Sequence, residues 1–231
     1  MPYLKPSGYK IPKEVVEHTP DIKKKEAVFT KKNAPFSELE KINGIATKDS
    51  VEFNSHFLKD RFYHTHIQPK NIKASYICMP SWEDIVSHFN QKKGRKMYIS
   101  GIFIIDEKTG KNIGRTFYTF TDKTDKLIDN LYERYKKFIS KDAEDSLIKE
   151  LLLNCDEYTK KLLESNIVSD VLHKKRILLQ LFLKQKLNNK LSIKEYYNVL
   201  TKDLGIKIRF VPMPGYKFNK NKLLFEKEWK E

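Results

Sequence analysis

The hydrophobic period of this chain changes twice, and those two changes limit the folds open to it. From Glu26 to Phe120 the apolar residues fall in short runs: AVF (27–29), GIATKDSVEF (44–53), RFYHTHI (61–67), YICM (76–79), MYISGIFIID (97–106) and IGRTFYTF (113–120). Runs of this length, rich in β-branched and aromatic residues and separated by turn chemistry, predict strands. The Asp106–Gly110 sequence DEKTG joins the last two as a hairpin. Beyond Thr121 the period becomes helical. Leu127, Ile128, Leu131, Tyr132, Tyr135, Phe138 and Ile139 line one face, and Leu147, Ile148, Leu151, Leu152, Cys155 and Tyr158 line a second helix. A third helix is predicted over 168–187, and a shorter fourth over 192–204, closed by Gly205. IKIRFVPM (206–213) then alternates again. A chain that reads this way is an α+β protein, a mixed sheet flanked by helices with an appended or inserted α-helical module.

Four segments follow. Residues 1–25, with Pro2, Pro6, Pro12, Pro20 and Lys23 to Lys25, read as an extended basic arm. Residues 26–120 form the sheet domain, in which Ile85, Val86 and Phe89 mark a helix over 80–92 lying on the sheet. Residues 121–205 are the helical module, and 206–231 are a returning strand followed by a basic, aromatic tail. The tail reads as loosely held. Tyr196 and Tyr197, with Tyr216, Phe218, Phe225 and Trp229, stand among lysines as base-stacking aromatics would, but are read in preference as a core edge and a tail that docks on a partner.

Nothing in the sequence approaches the roughly 18 consecutive apolar residues of a membrane span, and MPYLKPSGYK has a Pro and charges where a secretory leader would need an apolar stretch. The expectation is a soluble, intracellular (cytoplasmic) protein, with a secreted effector as the open alternative. Cys78 and Cys155 are too few for a disulfide framework or a cysteine zinc site and read as reduced core residues. The net charge of +15 admits nucleic acid as a partner through the Lys-rich arms. Arginine, the side chain suited to bidentate recognition, is confined to Arg61, Arg95, Arg115, Arg134, Arg176 and Arg209.

The chemistry concentrates between Phe62 and Phe89, in FYHTHIQPKNIKASYICMPSWEDIVSHF. On a strand, His64 and His66 project from the same face, as the first two ligands of a zinc ion must. Asp84, one turn into the helix that Ser81 opens, is the candidate third ligand, leaving one position for water. Ser81 is placed to donate a hydrogen bond to a developing oxyanion. The same residues admit a plainer reading: Pro-Ser-x-x-Asp is also a helix N-cap with a capping box, which needs no metal. His88 is expected on the helix surface and His173 in solvent, while His56 is a spare candidate ligand.

YHTHI…PSWEDI resembles the signature of the JAB/JAMM (MPN-type) metalloproteases, which pair His-x-His-Pro with a later Ser-x-x-Asp. Ile67 stands where that family has Pro, and the segment 67–80 is longer than its spacer. The resemblance covers residues 26–120 and implies the mixed sheet of JAMM and cytidine-deaminase-like folds. It implies that His64, His66 and Asp84 bind zinc and that Ser81 supports the oxyanion. It also implies that a glutamate on an earlier strand is the base: Glu40 first, then Glu38, then Glu26. The expected activity is cleavage of a peptide bond or a ubiquitin-like conjugate, on a protein substrate and within a larger complex. The alternative is a non-catalytic, nucleic-acid-associated or structural assembly protein on a degenerate scaffold of the same kind.

Overall fold

The computed structural model describes residues 28–31, 40–42, 45–46, 51–52, 61–69, 76–92, 98–141, 143–164, 171–187 and 191–228, with side chains from Tyr63 onward. The 1–25 arm therefore lies outside the described residues. The described residues fall into two compact units, one within 1–79, 98–117 and 209–231, the other within 80–97 and 118–208.

The first unit is built on a mixed sheet. In chain order its strands are β1 (Val28–Lys31), β2 (Glu40–Ile42), β5 (Arg61–Gln68), β6 (Ser100–Asp106), β7 (Asn112–Thr119) and β8 (Lys207–Pro212), arranged β2-β1-β5-β6-β7-β8. A short pair, β3 (Ile45–Ala46) and β4 (Val51–Glu52), forms its own ladder. Strands β1 and β5 run antiparallel, whereas β5 and β6 run parallel, with His64 opposite Ile102 and His66 opposite Ile104. Parallel neighbours cannot be joined by a tight turn. The connection from β5 to β6 therefore carries a 3-10 turn (Tyr76–Cys78) and the helix α1 (Trp82–Lys92). Strand β6 is buried along almost its whole length, with Ile102, Phe103, Ile104 and Ile105 in the core, as a central strand's continuous apolar run predicts.

The second unit is helical. It contains α1, α2 (Asp122–Ile139), α3 (Ser146–Leu153), α4 (Glu157–Glu164), α5 (Val171–Lys186) and α6 (Ile193–Asn198), the last continued by a π turn, Val199–Asp203. Helix α5 is its centre, packing on α1, α2, α3 and α4 and burying Ile177, Leu178, Leu179, Phe182 and Leu183. Gly205 ends the π turn with φ +72°, where a Cβ would come within 2.8 Å of Lys123. Its carbonyl accepts from the Thr121 hydroxyl at 2.7 Å, closing the module on its own entrance.

Four expectations are corrected. The run YICM (76–79), read as a strand, is instead the 3-10 turn Tyr76–Cys78 in the connection from β5 to β6. The second predicted helix is two, because Asn154, Cys155 and Asp156 break it: Asn154 leaves helical geometry, and Asp156 starts α4 by accepting from the Thr159 N–H. The tail is not loosely held. Strands β9 (Tyr216–Asn219) and β10 (Leu224–Lys227) form a hairpin whose Phe225 is 1% exposed, and Phe218 stacks on Phe210 at 3.9 Å between ring centroids. Trp229 lies outside the described residues. Fourth, His88 is buried within the helical unit, against the rings of Tyr118 and Phe120. Among the described residues no helix is long and apolar enough to cross a membrane.

Candidate metal centre

Alternation along β5 puts His64 and His66 on one face, and their Nε2 atoms come to 2.9 Å. His64 is buried and His66 half-buried. The other nitrogen of His66, Nδ1, lies 2.7 Å from the Ile77 carbonyl oxygen in the 3-10 turn. A carbonyl only accepts, so Nδ1 carries the proton and the Nε2 of a neutral His66 presents a lone pair. Metal-binding histidines use this arrangement to fix the ring and its tautomer.

The turn that receives His66 is held from several sides. The Met79 N–H donates to the Tyr76 carbonyl at 2.7 Å, the Thr116 hydroxyl donates to the Cys78 carbonyl at 2.6 Å, and the Cys78 thiol points at Gln68 Oε1. Gln68 also reaches the Phe225 carbonyl at 3.0 Å, so β10 braces the end of the histidine strand. Burial pushes the Cys78 thiol up to about 12, against a smaller opposing hydrogen bond from the Phe225 backbone, so it is not a nucleophile.

At the start of α1 the capping box expected from sequence is present. The Ser81 N–H donates to Asp84 Oδ2 at 2.8 Å, and the Asp84 N–H donates to Ser81 Oγ at 3.1 Å. Ser81 Oγ is the acceptor in that pair, so the cap does not consume the hydroxyl's own proton. One oxygen of Asp84 serves the cap, and a carboxylate has a second to offer.

The two readings of Pro-Ser-x-x-Asp are thus compatible. His64, His66 and Asp84 each offer a ligand atom, and these atoms all lie within 4.8 Å of one another. Two imidazoles and a carboxylate form a donor set suited to zinc, which accepts three such protein ligands and keeps a fourth position open. The Asp84 carboxylate is largely buried, a setting in which a bound cation offsets the loss of solvation.

Glu40 opens β2. Its backbone is paired with Thr30, and Thr30 is paired with Phe62. Directly paired positions share a sheet face, so position 40 falls on the face of positions 62, 64 and 66. The side chain of Glu40 lies outside the described residues, as do Glu38, Glu26 and His56 altogether. His173 is half-buried on α5.

Two tyrosines support the segment that opens α1, one of them Tyr196, which sequence places at a core edge. The Tyr196 hydroxyl donates to the Pro80 carbonyl at 2.9 Å, and the Tyr118 hydroxyl lies 3.4 Å from the Asp84 carbonyl. No periodicity marks a tyrosine whose partner is a backbone oxygen more than a hundred residues away. No protein-family model matches the chain, and no curated protein matches it.

Proposed function

We propose that this protein is a zinc-dependent peptidase or isopeptidase whose metal is held by His64, His66 and Asp84. The observation that carries the reading is the convergence of the two imidazoles and the carboxylate, with ligand atoms within 4.8 Å of one another. The supporting contact is the Nδ1–H of His66 on the Ile77 carbonyl, which puts the lone pair of a neutral His66 on Nε2, the nitrogen that would meet a cation once the His64 proton leaves. Zinc bound in such a set supplies Lewis acidity and brings the pKa of a coordinated water toward neutrality.

The chain's own groups do the rest. The Ser81 N–H fixes one oxygen of Asp84, which orients the carboxylate. The Ser81 hydroxyl, whose proton the cap does not use, donates to the substrate oxygen as charge develops there. Glu40, on the sheet face of the histidines by register, supplies the carboxylate that accepts a proton and returns it to the leaving amine; Glu38 and Glu26 are the alternatives. Resemblance to the JAB/JAMM signature selects the substrate class, a peptide or a ubiquitin-like conjugate.

The test is elemental analysis of the purified protein beside a His66→Ala variant shown to be folded by circular dichroism. About one zinc per chain, lost in the variant, supports the reading and makes cleavage of ubiquitin-like conjugates the next assay, with Glu40→Gln as the inactive control. Absence of zinc from the wild-type protein after zinc is supplied would sink it. Binding of nucleic acid with a steep salt dependence would then favour the assembly-protein alternative.

A further inference from the structure

The peptide that leads into α1 contains an acceptor that the helix itself cannot satisfy. Pro80 precedes the N-cap Ser81, so its carbonyl lies outside the helical ladder, where the first intrahelical bond belongs to the Ser81 carbonyl and the Ile85 N–H. In a buried setting such a carbonyl needs a donor. The Tyr196 hydroxyl is that donor, at 2.9 Å, and the bond is buried. Tyr196 is itself 7% exposed, and its position on the chain is well defined: Ser192 and Glu195 form a reciprocal capping box at the start of α6, and Gly205 closes the π turn beyond.

We propose that Tyr196 is a positioning residue for the segment that carries Asp84. The inference rests on the assignment of His64, His66 and Asp84 as ligands. Its physical content is that one hydroxyl holds the peptide one residue before Ser81. The Ser81 N–H in turn holds Asp84 Oδ2, so an error at Pro80 is passed directly to the ligating carboxylate. The Tyr118 hydroxyl, lying by the Asp84 carbonyl, limits the same segment from its other end. With both in place the carboxylate is oriented before a cation arrives, and the ordering cost is met during folding rather than on binding.

The test uses the full chain and measures zinc affinity by competition with a chromophoric chelator for wild type, Tyr196→Phe and Asp145→Ala. Tyr196→Phe keeps the buried ring and removes only the donor; a loss of affinity of about tenfold or more is expected, the scale typical of partners that orient a metal ligand. Asp145→Ala weakens the helical module at α3, away from the turn, and is expected to lower the melting temperature with zinc affinity unchanged. Equal zinc affinity in Tyr196→Phe and wild type overturns the proposal, as does an equal loss in both variants, which would make the effect general destabilisation. If wild type itself binds no zinc, the ligand assignment fails, an outcome distinct from either.

A second measurement needs no variant. Coupling is reciprocal: a bond that favours zinc is strengthened by zinc to the same degree. Amide hydrogen exchange in wild type is therefore expected to slow on zinc loading not only at residues 81–85 but also at 193–198. Protection confined to 81–85 would overturn the proposal.

Discussion

The Nε2 atoms of His64 and His66 stand 2.9 Å apart while Nδ1 of His66 faces the Ile77 carbonyl at 2.7 Å, and these two contacts together assign the protons. His66 carries its proton on Nδ1, so the proton between the rings belongs to His64 Nε2. In protein stripped with a chelator, long-range 15N–1H correlation is expected to show His66 as the Nδ1–H tautomer and His64 as the Nε2–H tautomer. Adding zinc should move the His64 proton off Nε2 and leave the His66 tautomer as it was. Finding His66 protonated at Nε2 in the stripped protein would contradict the assignment.

His88 predicts a dependence of stability on pH. Burial first, and the Lys92 ammonium second, push its pKa down to about 3. In the unfolded chain it titrates near 6.5, so between about 6.5 and about 3 the unfolded state binds a proton that the folded state does not. Stability therefore falls as the pH drops through that window. Moving from pH 7 to pH 5 is expected to cost about 2 kcal/mol through this one group. Urea unfolding at the two pH values measures it, and in His88→Leu the pH-dependent loss should shrink by about that amount. An unchanged pH dependence in the variant would mean that another group is responsible.

How much of this was legible in sequence differs by residue, for identifiable reasons. The β6–β7 hairpin, with Gly110 at φ +67°, and the closing Gly205 were readable because local chemistry determines them. The same holds for the Ser81–Asp84 cap and for the placement of His64 and His66 on one strand face. The burial of His88 was not readable. It lies one turn after Asp84, at a position that local pattern gives to the surface, and only the rings of Tyr118 and Phe120, from β7 and the chain just after it, make that position interior. The tail misled for a similar reason: its lysines suggested solvent, while Phe225, Leu224 and Leu223 go inward. Tyr196 was invisible as a support because its partner is a backbone oxygen that any sequence could supply.

Asp145 performs two roles at one helix start. Its Oδ1 accepts from the Ile148 N–H at 3.1 Å and from Arg134 Nη2 at 2.7 Å, while Oδ2 meets Arg134 Nε. The pair is partly exposed, so its Coulomb contribution is small and the cap carries most of the effect. Asp145→Ala is expected to cost about 1–2 kcal/mol at pH 7 by urea unfolding. The hydrogen bond from Arg134, ahead of other causes, holds the Asp145 carboxyl below its usual range. The contribution is thus present above the ordinary aspartate value near 3.9 and is lost as the pH falls through the lower folded value. The gap between wild type and variant should be constant from pH 7 to about 5 and close in stronger acid. A gap that widened in acid would assign the effect to something other than this carboxylate.

Gly114 and Phe225 bind the C-terminal hairpin to the sheet by a close approach that only glycine permits. A Cβ at position 114 would lie 2.4 Å from Cδ1 and Cε1 of the Phe225 ring, and that ring is 1% exposed, with no room to withdraw. Gly114→Ala is therefore expected to destabilise by about 1–3 kcal/mol through overpacking. Phe225→Ala should cost about 3–5 kcal/mol through the cavity it leaves. The two effects share one space: with the ring gone, the new methyl group has somewhere to go. The double variant should accordingly be more stable than the sum of the single losses implies, by about 1 kcal/mol or more, because residues in direct contact do not add. Strict additivity in urea unfolding would show that ring and glycine are not in contact in solution, and the bracing of β5 through Gln68 and the Phe225 carbonyl would fall with that contact.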